Sequence, residues 1–109
     1  MIKGLIIDLD GVAVDSERVR DEQIAQFLLG YRKTFDREKV KPLIAGRSAM
    51  VAAEILIKEY DLPLTPERLI EQRWEPLLQA YRSEIPFVPG FEDFYWKLRN
   101  ELNLSLIHI

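Results

Sequence analysis

A short apolar run, Leu5-Ile6-Ile7, stops on Asp8-Leu9-Asp10-Gly11-Val12. Ile2 to Asp8 reads as one buried strand, with apolar residues on both faces as in parallel sheets. Side chains at i and i+2 of a strand share a face. If extended geometry persists to Asp10, the two carboxylates face one small volume. Acids held that close repel unless a cation or a shared proton relieves them. Gly11 then breaks the strand. A single strand cannot satisfy its own backbone donors and acceptors, so it needs neighbours.

Downstream the pattern changes from strand to helix. Residues 16 to 31 carry Ile24, Phe27, Leu28 and Tyr31 at helical spacing. Asp36 to Ile44 forms a short second helix with Val40, Leu43 and Ile44 on one face. Ala45-Gly46-Arg47 is a loop, and Ser48 caps a third helix that runs to Tyr60. After a turn over 61–65, Thr65 caps a fourth helix with Pro66 at its first position. That helix is expected to bury Ile70, Trp74, Leu77, Leu78 and Tyr81 and to kink at Pro76. Pro86, Pro89 and Gly90 make a second connector. A fifth helix follows with Phe91, Phe94, Tyr95, Leu98 and Leu102 on its stripe. Trp96 lies off that stripe, facing a junction or solvent. The charged run from Arg32 to Lys39 reads as a solvated face.

Composition excludes several classes. The chain of 109 residues is 48% hydrophobic and 30% charged, with a net charge of -3 and no cysteine. A nucleic-acid footprint would need clustered Lys and Arg, so none is expected. Disulfides and thiolate chemistry are ruled out, which fits a cytoplasmic setting. No apolar run approaches a membrane span. The N-terminus has no signal-peptide cleavage pattern.

Asp8-Leu9-Asp10-Gly11-Val12-Ala13-Val14-Asp15-Ser16-Glu17 resembles the first motif of the haloacid dehalogenase superfamily, D-x-D-G-(T/V/L)-x-x-D-(S/T). The resemblance is to the phosphatase and phosphomutase branch, in which a helical cap is inserted after the first strand. Pro89-Gly90 is similar to the return into the core. The implied fold class is α/β: the first strand or strands of a Rossmann-like core plus an inserted all-α cap, truncated and mostly helical as given. The implied boundaries are a partial core at 1–14 and 86–103 and a cap at 15–85.

The resemblance implies roles. Asp8 is the nucleophile that forms an aspartyl-phosphate, and Asp10 is the general acid and base. Mg2+ is the implied cofactor, held by the Asp8 carboxylate and the Asp10 backbone carbonyl; oxygen ligands are what magnesium prefers. Gly11 lets the backbone turn beside the phosphate. Gly46 and Arg47 sit in the cap loop that family members point at substrate; Arg47 contacts a phosphate or sugar, or simply faces solvent. Asp15, Ser16 and Glu17 serve as a hinge, as a helix cap, or as both. Trp74, Tyr81 and Tyr95 read as packing. The partner is a small phosphorylated metabolite, such as phosphoglycolate or a sugar phosphate; oligomeric state stays open. A β-phosphoglucomutase-like isomerase is the alternative, weakened because Ala49 stands where mutases carry a basic residue. A non-catalytic helical interaction module is the alternative of another class.

The last six residues, Leu104-Ser105-Leu106-Ile107-His108-Ile109, have two readings. They form a second core strand, or they are a non-native tail that resembles the conceptual translation of a transposon-end adapter. On the second reading the frame is cut after Asn103. Motifs supplying the phosphoryl clamp, the lysine and the acidic pair are missing, so this fragment alone is expected to be inactive.

Overall fold

In the computed structural model the described residues are 5–83 and 85–102, with the side chain of Leu102 excepted. They form five helices: α1 (Ser16–Gly30), α2 (Arg37–Ile44), α3 (Ala49–Tyr60), α4 (Pro66–Arg82) and α5 (Phe91–Leu102). The chain divides into two compact units: Met1–Glu17 with Ile85–Ile109, here the loop unit, and Arg18–Glu84, the helical unit.

In the helical unit, local signals decide the boundaries. Asp36, Ser48 and Thr65 accept from the backbone N–H of Lys39, Val51 and Arg68, capping α2, α3 and α4. Pro66 opens α4, where its missing N–H costs nothing. Arg32 and Asp61 adopt left-handed backbone (φ 59 and 49). There the N–H groups of Lys33 and Leu62 reach back to the carbonyls of Leu28 and Ile57 at 2.9 and 3.1 Å. Ile24, Leu28, Val40, Ala53, Leu56, Leu62 and Leu69 form one buried cluster. Asp21 of α1 ties to α2 through Arg37 (2.9 Å) and Lys41 (3.0 Å).

Two apolar positions differ from the periodicity. Leu43 of α2 is 42% exposed and Trp74 of α4 is 58% exposed. On α4, Leu69 is buried and Ile70, Leu77, Leu78 and Tyr81 of the expected stripe are half-buried, so Trp74 alone departs from it, while Arg73 and Ala80 are half-buried as well. α4 continues as one helix through Pro76.

In the loop unit, no strand forms among the described residues. Residues 5–9 are irregular, and pairing is limited to isolated bridges, Asp10 with Val14 and Val14 with Phe87. The Rossmann-like core is therefore not present in the described residues, and Ile2 to Gly4 of the expected strand lie outside them. So do Glu84 and residues 103–109, including Ser105 and His108 of the final segment. Within this unit, Asp15 N–H donates to the Pro86 carbonyl (2.8 Å) and Val88 N–H to that of Ala13 (3.0 Å). α5 carries a run of rings: Phe87 with Phe91 at 6.0 Å, Phe91 with Tyr95 at 6.2 Å, Tyr95 with Trp96 at 5.6 Å. The Arg99 guanidinium lies 5.1 Å from the centre of the Trp96 ring. Phe94, expected on the buried stripe, is half exposed.

Candidate active site

The acidic loop closes on itself through backbone hydrogen bonds. The Leu9 carbonyl accepts from Ala13 N–H (3.0 Å) and Val14 N–H (3.1 Å), and Gly11 N–H donates to the Val14 carbonyl at 2.9 Å. Gly11 has φ +77, the left-handed region where a Cβ is strained, although open space surrounds it. The result is a tight knot over residues 9–14, with Asp8 just before it and Asp15 just after.

The two carboxylates take different partners. Asp8 Oδ1 accepts from the N–H of Leu9 at 2.9 Å. Asp10 Oδ1 accepts from the Ser16 hydroxyl at 2.6 Å. Ser16 is 3% exposed, the one buried polar residue among those described. It is also the first residue of α1, so the helix start and the Asp10 side chain are tied by one short bond. Glu17 sits in the first turn, where a negative charge suits the helix N-terminus.

Asp8, but not Asp10, lines an open and mainly apolar cavity of about 350 Å³. Its other walls include Ile7, Val14, Phe87, Phe91 and Trp96, with Glu92 as a second acid. Sequence reasoning did not single out Glu92. The available signal was its position in the first turn after the Pro89-Gly90 connector.

Gly46 and Arg47 belong to the helical unit. Gly46 has φ +70; Arg47 is exposed, and its N–H donates to the Ile44 carbonyl at 3.2 Å. Asp8, Asp10 and Gly11 belong to the loop unit. Asp15 and Ser16 lie in the loop unit, and the unit boundary falls directly after Glu17.

The donor chemistry near Asp8 and Asp10 suits magnesium, which prefers carboxylate and carbonyl oxygens. The number of donors is short of a full shell: no group of three or more His, Cys, Asp or Glu that could hold a metal occurs among the described residues. Among the same residues, no helix is long and apolar enough to cross a membrane.

No protein-family model matches the chain. It is 30% identical over 87 residues to a bifunctional riboflavin kinase/FMN phosphatase of Arabidopsis thaliana, a match covering 79% of the chain and 22% of the relative. It is 33% identical over 91 residues to the mitochondrial (DL)-glycerol-3-phosphatase 1 of the same organism, covering 82% and 30%. An uncharacterized protein of Schizosaccharomyces pombe is 27% identical over 95 residues, covering 87% and 38%. The chain thus spans between 22% and 38% of the length of these curated relatives. Two of the three are phosphatases by name.

Proposed function

We propose that this chain is part of a magnesium-dependent phosphatase of the haloacid dehalogenase superfamily, acting on small phosphomonoesters through an aspartyl-phosphate. The observation that carries this reading is the acidic loop: Asp8 lines the cavity, Gly11 turns the backbone, and Ser16 holds Asp10. The likeness to the bifunctional riboflavin kinase/FMN phosphatase and to the (DL)-glycerol-3-phosphatase supports the reaction class. Residues 1–14 and 86–103 then serve as partial core and 15–85 as the cap, with Asp15, Ser16 and Glu17 at the hinge.

In this mechanism an Asp8 carboxylate oxygen attacks phosphorus, and the bond from phosphorus to the leaving oxygen breaks. Asp10 gives its proton to that oxygen. Water then attacks the aspartyl-phosphate and loses a proton to Asp10, releasing phosphate and restoring both acids. The Ser16 hydroxyl orients the Asp10 carboxylate through both steps. Asp8 and the Asp10 backbone carbonyl would hold magnesium, which when bound neutralises charge on the phosphate and on Asp8. The remaining ligands are expected from the part of its relatives that this sequence does not span. Gly46 and Arg47 would meet the substrate from the cap, Arg47 through its planar fork. Phosphoglycolate or a sugar phosphate fits the size class.

The test is hydrolysis of p-nitrophenyl phosphate by the full-length protein with magnesium. Asp8→Asn is expected to lower kcat by about 10⁴-fold or more, as loss of a nucleophile does elsewhere. An unchanged rate would overturn the proposal. The 109-residue chain by itself is expected to show negligible turnover.

A further inference from the structure

The helical unit holds a second cavity, unrelated to the acidic loop. It lies where α1 contributes Gln23, Gln26 and Phe27, and α4 contributes Gln72, Arg73 and Pro76; its volume is about 200 Å³. Arg73 is its only charged wall residue. Arg73 occupies an inward position on α4, and its Nε–H is buried with no hydrogen-bond partner, the only such side-chain atom among the described residues. An orphaned donor of this kind costs about 1–3 kcal/mol, and more on a charged group. Burial also pushes the guanidinium pKa down, with the Tyr81 hydroxyl opposing. No carboxylate lines the cavity to offset the charge.

The neighbouring groups are arranged in favour of an acceptor. The Tyr31 hydroxyl donates to Gln72 Oε1 at 2.7 Å, which commits that amide oxygen and turns the amide nitrogen to act as a donor. Phe27 and Pro76 supply apolar wall.

We propose that this cavity is a binding site for a small organic carboxylate, held by Arg73 with Gln72 beside it. A planar guanidinium with one unit of charge matches a planar carboxylate of one charge, through two parallel N–H···O bonds. A phosphate dianion would bring twice the charge that the single cation can neutralise. Gln23 and Gln26 can meet a hydroxyl or carbonyl elsewhere on the ligand. This inference stands whether or not Asp8 is a nucleophile.

The test follows the Arg73 side-chain Nε–H resonance in ¹H–¹⁵N spectra of the full chain during titration with sodium acetate. Sodium chloride at matched ionic strength is the control. A saturable shift of that resonance above the control is expected. Arg73→Lys, which keeps the charge but loses the fork, is expected to weaken acetate binding about tenfold, and Gln72→Leu to weaken it less. No saturable shift would overturn the site, water then being enough for the buried Nε–H. Saturation by inorganic phosphate at lower concentration than acetate would overturn the carboxylate assignment. If Arg73→Lys fails to fold, judged by far-UV circular dichroism, the wild-type titration decides alone.

Discussion

The helical unit and the loop unit solve the same problem with opposite success. In the helical unit, Leu28, Val40, Leu56 and Leu69 are all below 2% exposed. In the loop unit, only Ala13 and Ser16 among the described residues are buried, while Ile6 is 99% exposed and Leu5, Leu9, Val12, Phe87, Phe94 and Trp96 are also exposed. The difference lies in where each element's partners come from. A helix satisfies its backbone internally and needs only a neighbouring face, which the next helix supplies after a short turn. A strand needs backbone partners from distant sequence. Among its described residues, the loop unit therefore has the side chains of a core without the strand pairing that would close it.

The sharpest way to break this contrast is to remove matched side chains from both units. Leu28→Ala should cost about 3 kcal/mol and lower the thermal midpoint of the chain visibly, because it opens a cavity in a closed core. Ile6→Ala should change stability by less than about 0.5 kcal/mol, since its side chain is already in water. Comparable losses at both sites would show that the loop unit is as well closed as the helical one.

Ser16 is where the loop unit does commit a buried group. Ser16→Ala in the full-length protein is expected to lower kcat on p-nitrophenyl phosphate about tenfold with little change in KM. That is the scale of one hydrogen bond to a charged group. Ser16→Thr should restore most of it. A KM effect alone would mean that the Ser16–Asp10 bond only secures the start of α1.

Asp21→Asn removes the charge shared by Arg37 and Lys41. Asp21 is 13% exposed at its side chain, so the pair is only partly screened. The expected loss is about 1 kcal/mol by urea denaturation. The smallest effect is at Lys39, exposed and paired with Glu59 at 2.8 Å. The hydrogen bond to Glu59, then its charge, raises the Lys39 pKa. A raised cationic pKa adds stability below the ordinary lysine value that is lost as pH climbs through the raised one. Lys39→Met should therefore leave the midpoint unresolved at pH 7, with any difference from wild type vanishing in strongly alkaline buffer and at high salt.

How legible each part was follows from the range of the forces involved. Ser48 and Thr65 declared their helix starts because a cap acts within three residues. The left-handed turns at Arg32 and Asp61 left no such mark, since the usual signal there is Gly or Asn. Trp74 was misplaced because hydrophobic spacing cannot say which face of α4 a neighbour will cover. The string Asp8 to Glu17 stood out in the sequence, and within it the Leu9-to-Val14 knot turns at Gly11, which has left-handed backbone. That Asp10 meets Ser16 while Asp8 meets the cavity was not readable, because alternation along a strand assumes an extended backbone.

By itself the sequence determined the helices, the Ser48 and Thr65 caps and the acidic string. These depend on neighbours a few residues apart. Only the tertiary structure decided which acid lines a cavity, which apolar residues stay in water, and that Arg73 lies buried with an unmet donor. Each of those depends on which distant segment covers a given face, and local spacing carries no record of that.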